Sequence, residues 1–195
     1  MPRVSEAHLA ARRRQILDAA GRCFVRNGFH QTSMQDVIKE AGLSVGAFYR
    51  YFKSKNELIT AIASEKITAV TGVLDGLLAL DPMPSIPEIL ERLLERVDVA
   101  VVEDGTVRIA VQVWGEAVHD PEVAAVVAEI YGRVRDRAVH TAERAQAAGQ
   151  IPPDADPAGI GAAFFGLVQG YILQRILLGG TDRQTYMNGV RALMG

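Results

Sequence analysis

Apolar residues recur along this chain at steps of three and four, and runs that alternate apolar and polar are short and rare, so the pattern predicts helix after helix. Residues 7–27 form the first. Ile16, Ala20, Cys23 and Phe24 share one face, and Arg12, Arg13 and Arg14 leave by another. Asn27-Gly28 supplies a left-handed stop, with Phe29 free to pack back on the helix end. Thr32 opens a second helix, with Gln35 three residues on as a capping box and Met34, Val37, Ile38 and Ala41 as the apolar face. Gly42 ends it. Ser44 caps a helix of about eight residues running through Phe48 and Phe52. Ser54 and Glu57 form another box that opens a long helix through Leu58 and Ile62 to near Leu80, before Asp81-Pro82-Met83-Pro84 breaks the chain.

The second half follows the same punctuation. Ser85 with Glu88 starts a helix that ends near Asp104-Gly105, and residues 106–117 form the next. Asp120-Pro121 places a cap and a first-position proline before a helix to about Ala148. Asp156-Pro157 repeats that signal for residues 158–178, Gly179-Gly180 stops the run, and Thr181 with Gln184 opens the last helix. The fold class is all-α, with about nine helices and no predicted strand. The 158–178 stretch is the most apolar, but it carries Gln169, Gln174 and Arg175 and reads as a buried or interface helix, not a membrane span. The N-terminal residues Met1 to His8 lack the apolar region of a signal peptide, so a cytoplasmic location without membrane contact is expected.

Composition sharpens this picture at two points. The 195 residues are 49% hydrophobic and 23% charged, enough to bury a core and too apolar for disorder. The net charge of −2 argues against a polyanion partner, but it hides an asymmetry. Residues 1–55 hold ten Lys/Arg against four acids, a net of +6, and the rest of the chain carries −8, so one end is built to meet a polyanion. The lone Cys23 excludes a disulfide framework and a multi-cysteine zinc site, and its place on the apolar face reads as inert core. No metal-ligand spacing and no phosphate-binding glycine loop is present, so no metal or cofactor is expected.

The informative stretch runs from Thr32 to Lys55. Two short helices joined by Ala41-Gly42-Leu43-Ser44 have the form of a helix-turn-helix, whose second helix enters the major groove. Helix starts at Thr32-Ser33 and Ser44 offer N–H groups and hydroxyls to phosphates. Gly46 lets backbone approach DNA, Tyr49 and Tyr51 present phenolic donors, and Arg50 has the fork that reads guanine or clamps a phosphate. Lys53 and Lys55 add charge beside the groove. The same Gly42-Leu43-Ser44-Val45-Gly46 also spells the nucleophile elbow of serine hydrolases, but that motif needs a strand before the serine, and here an amphipathic helix precedes it.

The run Gly42-Leu43-Ser44-Val45-Gly46-Ala47-Phe48-Tyr49-Arg50-Tyr51-Phe52-Lys53-Ser54-Lys55-Asn56-Glu57-Leu58 resembles the tetracycline-repressor (TetR) family of bacterial regulators. Ile16-Leu17-Asp18-Ala19-Ala20, Phe24, Gly28-Phe29 and Thr32-Ser33 fit the same pattern. The resemblance is close over residues 10–70. Beyond them it rests on the helical layout, on Gly149-Gln150-Ile151 and on the glycine-rich helix after Pro157. It implies a DNA-binding domain over residues 10–70, with the helix-turn-helix at about 33–52, and a helical effector-binding and dimerisation domain over 71–195. Thr32, Ser44, Gly46, Tyr49, Tyr51 and Lys55 would contact phosphates and groove walls, and Val45, Ala47 and Arg50 would face base edges. Position 45 is often Lys or Arg in the family, so Val45 exchanges a polar contact for an apolar one, such as a thymine methyl. Arg3, His8 and Arg12 to Arg14 either reach the DNA backbone or minor groove or are simply solvated.

The implied function is that of a homodimeric, ligand-responsive repressor that binds a palindromic double-stranded operator and is released by a small-molecule effector. An activator of the same family, a helical hydrolase using Ser44 and a helical adaptor without a DNA role are the alternatives. Gln112, Trp114, His119, Tyr131, Phe164, Phe165 and Gln169 are the expected effector-pocket residues, since aromatics with a few polar groups make a cavity; each aromatic also serves as plain core. Gly159, Ala163, Gly166 and Gly170 recur at helical spacing on one face, where a second copy or a neighbouring helix packs closely. The long helix from Ser54 is the expected lever between reading head and pocket.

Overall fold

The computed structural model describes residues 6–101 and 106–194, with the side chains of Ile67, Val70 and Thr106 excepted. The described residues form nine α-helices and no strand: α1 Glu6–Asn27, α2 Met34–Ala41, α3 Val45–Phe48, α4 Lys55–Leu78, α5 Ile86–Val99, α6 Thr106–Ala117, α7 Pro121–Ala147, α8 Pro157–Leu173 and α9 Arg183–Met194. A π-helical turn, Gln174–Leu178, extends α8 and stops at Gly179, whose positive φ of 68° suits a residue without a Cβ. Arg3 and the expected helix end near Asp104-Gly105 lie outside the described residues.

The chain packs as two units. One holds the described residues up to Glu65 together with Arg108–Val126. The other holds those of Lys66–Val107 and Val127–Gly195. The first cut lies between Glu65 and Lys66, and Arg108–Val126, which holds most of α6 and the start of α7, groups with the N-terminal unit.

In the N-terminal unit the predicted stripe of α1 is the core: Ile16, Ala20, Cys23 and Phe24 are fully buried, against Val37, Phe48 and Leu58. Burial also pushes the Cys23 thiol above its ordinary pKa, away from the reactive thiolate. The cap of α2 is Ser33, not Thr32. The Ser33 hydroxyl accepts the Asp36 N–H, and Asp36 accepts the Ser33 N–H at 2.9 Å. These bonds from Ser33 hold the Asp36 carboxyl below its ordinary pKa. Thr32 is unavailable for the cap because it is buried and its hydroxyl donates to the carbonyls of Gly28 and Cys23. The helix after Ser44 is four residues long, not eight. Gly46 weakens it by roughly 1 kcal/mol relative to alanine, and the chain then tightens, with Tyr51 N–H donating to Phe48 O.

The C-terminal unit is built on Leu74, Leu78, Ile89, Leu90, Leu94, Phe164, Tyr171 and Met187. Ser85 and Glu88 form the expected capping box. The last helix is capped by Asp182, which accepts the Thr185 N–H at 2.7 Å, and not by Thr181, whose hydroxyl donates to Gln174. Buried Tyr171 donates its hydroxyl to Asp98 at 2.7 Å, and Arg175 and Arg183 pair with the same carboxylate. Burial, then Asp98, pushes the Tyr171 phenol far above its ordinary pKa, so it stays a donor.

Small residues on α8 have different fates. Gly161 is buried, and a Cβ there would sit 2.7 Å from the backbone nitrogen of Val139 on α7. Gly159, Ala163 and Gly166 are exposed, whereas Gly170 lies beneath the Tyr186 hydroxyl of its own chain. Pro157–Leu178 is apolar and long enough to cross a membrane by length and composition, yet only 17% of its most apolar window is buried within the chain.

Gly161→Ala should destabilise the chain by about 1–3 kcal/mol, because the α7 backbone cannot yield as a side chain would. Gly132→Ala, in open space on α7, should instead stabilise by roughly 0.5–1 kcal/mol. Urea midpoints of the two variants test this, and equal shifts would show that α7 and α8 do not approach so closely.

Candidate nucleic-acid interface

Ser44 starts α3 in extended conformation and its hydroxyl oxygen accepts the Ala47 N–H. The first two amides of the helix, Val45 and Gly46, have no intrahelical acceptor, so they face outward as donors. Phe48 and Phe52 turn inward and are buried. That fixes the opposite face outward: Val45 is 49% exposed, Tyr49 39%, and Gly46 and Arg50 are exposed beside them. A Cβ at Gly46 would meet nothing within 4 Å, so the backbone there is open to a large ligand. Ala47 is half-buried. Tyr49 packs edge-on against Phe48, ring centroids 5.9 Å apart, which holds its phenol outward. Tyr51 is half-buried beside Arg13 and Phe52 in a surface groove.

The turn before the helix is anchored. Gly42, at φ 65°, gives its N–H to the carbonyls of Ile38 and Lys39, and Gln15 on α1 donates to the Ala41 carbonyl at 2.8 Å. The chain after the helix is anchored too: Glu57 accepts the Lys53 N–H at 2.7 Å, and Ser54 Oγ accepts the Glu57 N–H. Ser44 thus follows one helix and caps another, which is not the strand-turn-helix setting of a nucleophile elbow.

The cationic residues divide into two sets. Glu40 pairs with both Arg22 and Arg26, at 2.8 and 3.2 Å, and Glu65 pairs with Arg13 at 2.8 Å. Arg12 donates to Gln15. Arg50 and Lys53 are exposed and carry no ion pair among the described residues. Glu40 is already counted in the +6 of residues 1–55, which Glu65 lowers by one, and Arg50 and Lys53 keep their charge beside α3.

Two residues expected at phosphates are engaged elsewhere. The Thr32 hydroxyl is buried against Gly28 and Cys23. The Lys55 ammonium donates to the carbonyls of Phe29 at 2.8 Å, Thr32 at 3.3 Å and His30 at 3.4 Å, and lies 4.4 Å from the centroid of the Phe29 ring. Three protons meet three acceptors, so none remains for a phosphate. Desolvation lowers the Lys55 pKa, and the nearby Glu116 charge partly offsets it. Lys55 thus clamps the loop that carries Ser33 and α2. Ser33 itself is exposed, with its hydroxyl donating to Asp36 at 2.6 Å.

The expected effector residues are divided between the two units. Gln112 lies in the N-terminal unit, where its Oε1 accepts the Phe29 N–H at 2.7 Å beside Gly28. Trp114 is half-buried and His119 exposed in that same unit. Tyr131, Phe164, Phe165 and Gln169 belong to the other, where Tyr131 stacks on Phe165 at 5.5 Å and Phe164 and Phe165 wall a small apolar cavity. Sequence reasoning missed that α6 anchors the loop after α1, through Gln112 and through Glu116, which meets His30 at 2.6 Å. Their i, i+4 spacing, in register with Arg108 on the same helix, was the available signal.

Residues 16–62 match the model of bacterial regulatory proteins of the tetR family, and residues 86–193 match that of the BetI-type transcriptional repressor C-terminal region. The HTH-type transcriptional repressor Rv1474c of Mycobacterium tuberculosis is 38% identical over 103 residues, which span 51% of this chain and 55% of that protein. The HTH-type transcriptional regulator UidR of Escherichia coli is 26% identical over 187 residues, 94% of this chain and 91% of the relative. The solved structure of FadR from Bacillus subtilis, in complex with stearoyl-CoA, superposes with a TM-score of 0.76 at 18% identity, covering 92% of this chain and 96% of that one.

Lys53→Ala should flatten the dependence of log affinity on log salt by about 0.9 for a mixed-sequence duplex, the signature of one lost phosphate contact, whereas Arg50→Ala should change sequence preference. Lys55→Met should weaken binding and lower the melting temperature while leaving that slope unchanged. Fluorescence anisotropy across a salt series separates them, and a flattened slope for Lys55→Met would return Lys55 to the phosphates.

Proposed function

Because the chain belongs to the TetR family of bacterial regulatory proteins, it is a DNA-binding transcriptional regulator, and we propose that it acts as a homodimeric repressor whose hold on a palindromic operator is released by a small-molecule effector. The observation that carries the DNA reading is the outward face of α3: Val45, Gly46, Tyr49 and Arg50 exposed in a row, with Arg50 and Lys53 left unpaired. Arg50 is the group with bidentate capacity toward guanine, Val45 and Ala47 suit thymine methyls, and Ser33, Ser44, Tyr49, Tyr51 and Lys53 suit phosphates. Repression is preferred to activation because residues 86–193 match a BetI-type repressor model.

One reading head per chain covers only half of a palindrome, so two-fold pairing is required, with half-sites one DNA turn or a multiple apart. The exposed apolar side of α8 supports this pairing, since Gly159, Ala163 and Gly166 let a second helix approach and the helix is mostly unburied alone. The protein works in the cytoplasm, where its operator is. Release needs an effector that binds one of two conformations better than the other, since equal affinity for both shifts nothing. Helix α4 contributes residues to both units and is the continuous element through which such a bias travels.

Selection of bound duplexes from a random pool should enrich a single two-fold symmetric sequence; enrichment of none would sink the operator reading. Gly166→Leu should lower the sedimentation coefficient of the free protein toward that of one chain, and an unchanged value would move the dimer axis away from this face of α8.

A further inference from the structure

We propose that Arg12 on α1 is a clamp for a DNA phosphate and that Gln15 sets it in place. This rests on the DNA reading above and adds to it a contact from outside α2 and α3.

The two residues sit about one turn apart on α1. Gln15 faces the junction of α2 and α3, where its Nε2 donates to the Ala41 carbonyl at 2.8 Å. Ala41 is the last residue of α2, and its carbonyl is one of the acceptors that a helix end leaves without an intrahelical donor. The oxygen of the same carboxamide, Oε1, accepts an N–H from the Arg12 guanidinium at 2.7 Å. Each bond fixes the orientation that the other needs. A turned-over amide would set its NH2 against the guanidinium and its oxygen against the carbonyl. One carboxamide therefore separates the Arg12 charge from the chain that leads into α3.

Most of that guanidinium is uncommitted. An arginine carries five N–H donors, and the bond to Gln15 uses Nη1. The edge formed by Nε and Nη2 keeps the fork that grips a phosphate through two parallel bonds. No carboxylate pairs with Arg12 among the described residues, whereas Glu65 holds Arg13 and Glu40 holds Arg22 and Arg26. Arg14 is exposed, but a step of two residues turns it to another side of α1.

Place decides what the fork meets. In a helix-turn-helix the first helix crosses the sugar-phosphate backbone and the second begins at the base edges, so the junction between them lies at the lip of the groove. Gly42 and Ser44 are exposed at that junction. Arg12 belongs to neither helix and stands outside the row of Val45, Tyr49 and Arg50, so its partner is a phosphate and not a base.

Fluorescence anisotropy of mixed-sequence duplexes across a salt series tests this, with Lys53→Ala as the reference. Arg12→Ala should flatten the slope of log affinity against log salt by about 0.9, equally on duplexes of different sequence. Arg13→Ala removes the same formal charge and should leave the slope unchanged, because Glu65 already holds that residue. Arg12→Lys should keep the slope. Gln15→Met preserves side-chain length but neither bond. It should flatten the slope too, and adding Arg12→Ala to it should then weaken binding less than in the native chain. A flattened slope for Lys53→Ala with none for Arg12→Ala would overturn the proposal and leave the DNA reading standing. Equal flattening by Arg13→Ala, or full additivity of Arg12→Ala and Gln15→Met, would overturn it as well. A native chain without salt-dependent duplex binding would overturn both.

Discussion

A helix of four residues has no stability of its own, because nucleating one turn costs more than its single backbone bond returns. α3 exists because Phe48 and Phe52 are buried beside α1 while Ser44 and Gly42 hold the chain before it. Every feature of the reading face follows from that burial. With Phe48 inward, Val45 and Tyr49, one turn apart on the same side, have only the outward direction left. The same constraint explains why the element tolerates Gly46: the helix is stabilised by packing and capping rather than by propensity, so the position is free to stay small and let backbone approach a ligand.

Charge is organised around this face by neutralising what surrounds it. Glu40 and Glu65 hold Arg22, Arg26 and Arg13 of α1, while exposed Arg50 and Lys53 beside α3 carry no ion pair among the described residues. Lys55 shows how residue type and role separate. Its ammonium is one of ten cationic groups in the basic N-terminal segment, yet its three protons bind three carbonyl oxygens and its charge lies over an aromatic ring. A cation so coordinated ties down the loop that precedes α2.

The C-terminal unit sets an apolar interior against an apolar exterior. Inside, the Asp98 carboxylate gathers the Tyr171 hydroxyl and the guanidinium groups of Arg175 and Arg183 into one cluster. Outside, α8 leaves small and apolar residues uncovered. Gly161, pressed against the backbone of α7, marks the side of α8 that packs within the chain.

Much of this was legible along the chain. The helical periodicity, the apolar stripe of α1, the Ser85–Glu88 and Asp156-Pro157 starts and the helix-turn-helix spacing are local properties, set by residues within one or two turns of each other. Capping already eluded the sequence where two candidates stood side by side: Ser33 displaced Thr32, and Asp182 displaced Thr181, because the losing hydroxyl found a better partner across the fold or in the preceding turn. The length of α3, the engagement of Lys55 with three carbonyls and the placement of Gln112 on the N-terminal unit were decided only in three dimensions. The Lys55 and Gln112 bonds join groups 26 and 83 positions apart, and no periodicity within a single helix encodes which distant partner a side chain will meet.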